Sequence, residues 1–107
     1  VLVPSKFHGT GPFCKLKDWM EKHGSTYNFE LVYTMNNTRT GFKYEPWHYS
    51  YVPLSRKRYN DYVKTIDLVP FLRSETVMGT DKVSEKRIQR YMEEHIKGIN
   101  SKLKGLF

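Results

Sequence analysis

The chain has 107 residues, a formal net charge of +7, 38% hydrophobic and 15% aromatic content, with eight tyrosines among the aromatics. That length holds one domain with a single modest core, and the composition argues against disorder. One cysteine, Cys14, excludes an internal disulfide and a Cys-rich zinc site, and no apolar run approaches the ~18 residues of a membrane span.

The first eleven residues contain Pro4, Gly9 and Gly11 and read as irregular. Pro12 suits the first position of a helix carrying Phe13, Leu16, Trp19 and Met20, with Gly24 as its C-terminal stop. Tyr27 to Met35 is rich in aromatic and β-branched residues and predicts a strand. Asn36-Asn37-Thr38 is turn chemistry, and Thr40 to Tyr44 predicts a second strand, together a β-hairpin. Tyr49 to Val52 continues extended, but Pro46 cannot donate to a ladder, so the strand there must be at an edge, bulged or interrupted.

From Ser55, a good N-cap, Tyr59, Tyr62, Val63 and Ile66 keep helical spacing, with Pro70 bounding that helix. A linker through Gly79 leads to a last helix whose apolar stripe runs from Ile88 through Tyr91, Met92, His95 and Ile96 to Ile99. His95 reads as a packed core or rim residue, and Gly98 and Gly105 predict fraying. The expected fold class is α+β, a small antiparallel sheet with flanking helices, forming one domain over 1–107. Within it, 1–54 holds a helix and the sheet, and 55–107 the C-terminal helices.

The basic residues are spread along the chain, and Arg56-Lys57-Arg58 is the one tight cluster. The charge favours polyanionic surroundings such as nucleic acid, anionic lipid or acidic wall polymers. No nucleic-acid recognition motif accompanies it, so nucleic acid is not expected as a partner. Glu45 and His48 hold more chemistry. A neutral imidazole is the commonest metal ligand, and a carboxylate beside a metal-bound water is a natural base. A bulge or bend at Pro46 is one way to bring the two together.

Tyr44-Glu45-Pro46-Trp47-His48-Tyr49-x-Tyr51-Val52 resembles the C-terminal signature of the VanY-type zinc D-alanyl-D-alanine carboxypeptidases, peptidase family M15. The preceding helix and strand and Arg39-Thr40-Gly41 follow the family order. Pro53-Leu54-Ser55, Tyr59, Arg73-Ser74-Glu75 and Gly98-Ile99-Asn100 fit one subgroup's tail. The resemblance implies a hedgehog/DD-peptidase-like fold and a Zn2+ cofactor. Glu45 would be the general base and His48 one zinc ligand, while Trp47 and Tyr44 would contact substrate. The implied substrate is the D-alanyl-terminated stem peptide of peptidoglycan, and the implied location is the cell envelope or outside the cell. D,D- and L,D-carboxypeptidases, dipeptidases and phage endolysins all fit; the alternatives are a non-catalytic wall-binding relative of the same fold and, behind it, a basic nucleic-acid-binding domain.

The family's other two ligands lie in a motif Ser-x-His-x-x-Gly-x-Ala/Thr-x-Asp, which has no match here. Ser5-Lys6-Phe7-His8 comes nearest, with His8 one place late and Lys15 where the aspartate belongs. The expectation is therefore the C-terminal half of such a domain, its sheet incomplete on the N-terminal side and the chain alone inactive.

Overall fold

The computed structural model describes residues 1–74 and 77–105. Among these residues the architecture is α+β: four α-helices, with short 3-10 and π turns, around a two-stranded antiparallel sheet. A 3-10 turn over Pro4–Phe7 opens the chain, and Phe13 N–H donates to the Lys6 carbonyl at 2.9 Å, folding the N-terminus back onto the next helix. That helix, α1, spans Cys14–His23, so it starts two residues after Pro12. Gly24 does not stop it in the left-handed region. The chain runs on through a 3-10 turn, Gly24–Tyr27, and Asn28 at φ +65° makes the left-handed exit. Asn tolerates that conformation because its short polar side chain bonds locally.

On α1, Lys17 reaches Asp18 at 2.9 Å and Glu21 at 3.0 Å. Its hydrogen bonds, first to Asp18 and then to Glu21, raise its pKa above the ordinary value, and the bond from Lys17 lowers that of Asp18. The Asp18 contribution to stability is thus complete above its ordinary pKa of 3.8 and is lost as pH falls through its lower folded value. The Tm difference between wild type and Lys17→Met should therefore shrink between about pH 5 and pH 2. Thermal melts across that range check this, and a constant difference would refute it.

Strand β1 is Phe29–Leu31 and β2 is Tyr49–Tyr51, in the register Phe29↔Tyr51, Glu30↔Ser50 and Leu31↔Tyr49. The expected hairpin between Tyr27–Met35 and Thr40–Tyr44 does not form. Asn36 does make its turn, its Oδ1 accepting from the N–H and hydroxyl of Thr38 at 3.0 and 2.7 Å. Beyond it the Arg39 guanidinium, rather than a neighbouring strand, takes the Thr34 carbonyl at 2.8 Å. Gly41, at φ +86°, then carries the chain against the Glu94 and Gly98 carbonyls. Residues 40–42 thus pack on the C-terminal segment, and β1 pairs with the chain beyond Pro46.

Helix α2, Val52–Thr65, begins straight after β2. Ser55 is not its cap but lies in its first turn, the hydroxyl donating back to the Tyr51 carbonyl at 2.9 Å. The chain breaks at Ile66 before Pro70, and α3, Leu68–Ser74, carries that proline in its first turn, where the missing N–H costs nothing. Glu75 of the Arg73-Ser74-Glu75 piece lies outside the described residues.

Helix α4, Glu85–Tyr91, is capped by Ser84, whose Oγ accepts from Arg87 N–H at 3.2 Å. The predicted stripe to Ile99 is cut short, because α4 widens into a π turn over Met92–Ile96 and Ile99 lies beyond it. Gly98 is buried and does not fray, and the Gly105 carbonyl accepts from Asn60 at 2.7 Å. Leu103, 1% exposed, anchors this tail by a burial contributing about 2 kcal/mol.

The core is thin. Among the described residues its buried apolar side chains are Phe7, Val32, Ile88 and Leu103, with Pro46. Leu16, Trp19, Phe29 and Tyr51 stay substantially exposed. The radius of gyration is 16.4 Å, against about 13 Å expected for a compact domain of this length. No helix among the described residues is long and apolar enough to cross a membrane.

Candidate active site

Glu45, Pro46, Trp47 and His48 form a single reverse turn. His48 N–H donates to the Glu45 carbonyl at 3.1 Å, and proline fills the second position, where its fixed φ is favoured. Both ends of the turn are clamped to the continuation of β1. Glu45 N–H donates to the Tyr33 carbonyl at 3.1 Å, and Val32 N–H to the His48 carbonyl at 2.8 Å. Pro46 is fully buried beneath, and Trp47 lies on Phe7 with ring centroids 5.6 Å apart. The interruption expected at Pro46 is therefore a turn rather than a bulge. It sets the first and fourth side chains next to each other.

His48 Nδ1 lies 3.0 Å from Glu45 Oε2. An ionised carboxylate only accepts, so in this pair Nδ1 carries the proton and a neutral imidazole keeps its lone pair on Nε2. The side chains are part exposed, 45% for His48 and 28% for Glu45, so both reach solvent. Glu45 Oε1 has no hydrogen-bond partner among the described residues.

An aromatic wall holds His48 from behind. The Tyr33 ring meets His48 edge-on at 5.3 Å and Phe42 at 5.4 Å, and Phe42 meets His95 at 4.9 Å. His95 stacks on Tyr91 at 4.8 Å, the packed role expected of it. Arg39 sits over Tyr33 at 5.4 Å, tied by its guanidinium to the Thr34, Thr40 and Gly98 carbonyls at 2.8–2.9 Å. Burial, and next the charge of Glu45, raise the Tyr33 pKa above the ordinary range, so the phenol stays protonated at neutral pH. Sequence reasoning missed Tyr33 as the ring against His48, a contact set by the pairing of Val32 with His48 just beyond β1.

Tyr44 points away from Glu45 and meets His8 Nε2 at 3.0 Å. Burial raises its pKa too. Trp47 faces an apolar cavity of about 380 Å3 that it shares with Phe7, Phe13, Leu16, Met20 and Tyr49.

Residues 3–54 match the family model VanY, D-alanyl-D-alanine carboxypeptidase. This segment is VanY-like. The family-level function that the match supports is D-alanyl-D-alanine carboxypeptidase-like, a peptidase activity. The match ends at Leu54 in the first turn of α2, so the tail pieces from Ser55 onward lie outside it. No curated protein and no solved structure gives a match.

VanY-type enzymes are generally zinc-dependent, and a catalytic zinc takes three protein ligands. Among the described residues no group of three or more His, Cys, Asp or Glu side chains is placed to hold a metal ion. His8 is engaged by Tyr44. The VanY-like segment therefore presents an imidazole and a carboxylate of the right chemistry without a complete zinc site.

Proposed function

We propose that this chain is the C-terminal portion of a zinc-dependent carboxypeptidase that removes D-alanine from the stem peptide of bacterial peptidoglycan, outside the cytoplasm. The observation that carries the reading is the clamped Glu45–His48 turn inside a VanY-like segment. Glu45 is the general base and His48 one metal ligand, while Tyr44 before the turn and Trp47 within it contribute to substrate binding. Two further ligands, a histidine and an aspartate, come from sequence outside these 107 residues. The thin core supports a domain completed by more chain, with 1–54 carrying the site and 55–107 the helices that buttress it. A net charge of +7 suits an anionic wall better than it selects nucleic acid, for which no recognition motif is present.

The decisive test uses the whole gene product. It should hold one zinc and release D-alanine from a stem pentapeptide, while the 107-residue chain does neither. His48→Ala should lower both metal content and turnover. A whole product that holds no zinc and releases no D-alanine would sink the proposal. If that same product bound intact peptidoglycan, the non-catalytic wall-binding relative would take its place, a reading favoured by the absence of a three-ligand group among the described residues.

A further inference from the structure

A separate, polar cavity of about 210 Å3 lies between the Thr34–Arg39 turn and the C-terminal tail, lined by Thr34, Asn36, Arg39, Asn100, Ser101 and Lys104, with Ile99 as its apolar member. No carboxylate lines it, and among the described residues neither Arg39 nor Lys104 is paired with one. Both cations are held by neutral carbonyls. Lys104 Nζ donates to Lys97 O at 2.7 Å, and Arg39 donates to Thr34, Thr40 and Gly98.

Carbonyl dipoles orient these cations but leave their charge in place. Of the donors on the two groups, five on a guanidinium and three on an ammonium, half are used. Lys104 keeps two N–H bonds and the outer Arg39 nitrogen Nη2 keeps one. Asn36 adds more: its Oδ1 is occupied by Thr38, so its amide N–H bonds remain to donate. The Thr34 and Ser101 hydroxyls complete a lining rich in donors. Two positive groups and neutral donors around one cavity form a receptor for a small oxyanion.

The geometry points to an oxyanion-binding site between Arg39 and Lys104, separate from the Glu45–His48 turn and resting on no part of the carboxypeptidase reading. Its ligand is a carboxylate or a phosphate group. The test is nitrogen-15 NMR of the 107-residue chain, titrated with sodium phosphate and separately with N-acetyl-D-alanine, ionic strength being held with sodium chloride. Saturable shifts should appear together at the amides of Asn36, Ser101 and Lys104. Lys104→Gln, which can still donate to the Lys97 carbonyl, should weaken binding about tenfold through loss of the charge. Lys104→Arg should retain it.

Preference for phosphate would assign a phosphoryl source, and preference for N-acetyl-D-alanine a peptide C-terminus. Asn36→Ala, at an exposed turn, gives a second variant with weakened binding expected. Shifts that never saturate, or an unchanged midpoint in both Lys104→Gln and Asn36→Ala, would overturn the proposal.

Discussion

Gly98→Ala is expected to lower the melting temperature by about 15 °C, although the residue lies more than forty positions from the Glu45–His48 turn. A Cβ there would overlap the Glu94 carbonyl and come within 2.7 Å of the Thr40 carbonyl oxygen. Both obstacles are backbone and cannot swing aside as a side chain would. Gly41 faces the same crossing from the other segment, at φ +86° and with its own Cβ position 2.7 Å from Glu94 O. The two glycines let residues 40–41 lie directly on the end of the terminal helix, and Arg39 ties the crossing by donating to both Thr40 and Gly98.

Forcing the segments apart combines overpacking with lost hydrogen bonds, roughly 3 kcal/mol in all. At about 5 °C per kcal/mol for a chain of this size, the shift follows. Gly9→Ala is the control. Gly9 has positive φ, +57°, but nothing stands within 4 Å of its Cβ position, so only the backbone term of about 1 kcal/mol applies. Calorimetry of the two variants decides the point. A Gly98→Ala protein melting no lower than Gly9→Ala would show that the crossing is not a close contact.

That crossing also explains which parts of the molecule were legible in the sequence. Local signals held where local chemistry decides the outcome: Asn36 builds its turn, and the Phe13 to Met20 spacing becomes α1. The Glu45–His48 pair was legible because a proline at the second position of a turn is itself a local signal, and the turn places its first and fourth side chains together. What failed was pairing. Thr40–Tyr44 has strand composition, but Gly41 and Gly98 offered it a closer fit on the terminal helix than on β1. Such a fit joins residues more than fifty positions apart and leaves no periodic trace. The aromatic wall of Tyr33, Phe42 and His95 behind His48 depends on that same fit. It could be read only once the fold was known.

Glu45→Gln should cut D-alanine release by the whole gene product about a thousandfold, with KM and zinc content little changed. Two roles for Glu45 need to be separated, and this substitution separates them. In the structure its Oε2 faces His48 Nδ1 at 3.0 Å, the arrangement of a carboxylate that orients a histidine. Its Oε1 is free among the described residues and could accept a proton from water. Glutamine keeps an acceptor for the Nδ1 proton and can hold the ring in place, but it cannot take up a proton.

If Glu45 works through Oε1 as a base, turnover collapses while the His48 ring keeps its environment. The ring nitrogen shifts in the 107-residue chain report that directly. If its role is only to orient His48, glutamine should retain turnover within about tenfold, and Glu45→Ala should do the damage instead. Near-normal activity in Glu45→Gln would thus remove Glu45 as base while leaving His48 as the residue it serves.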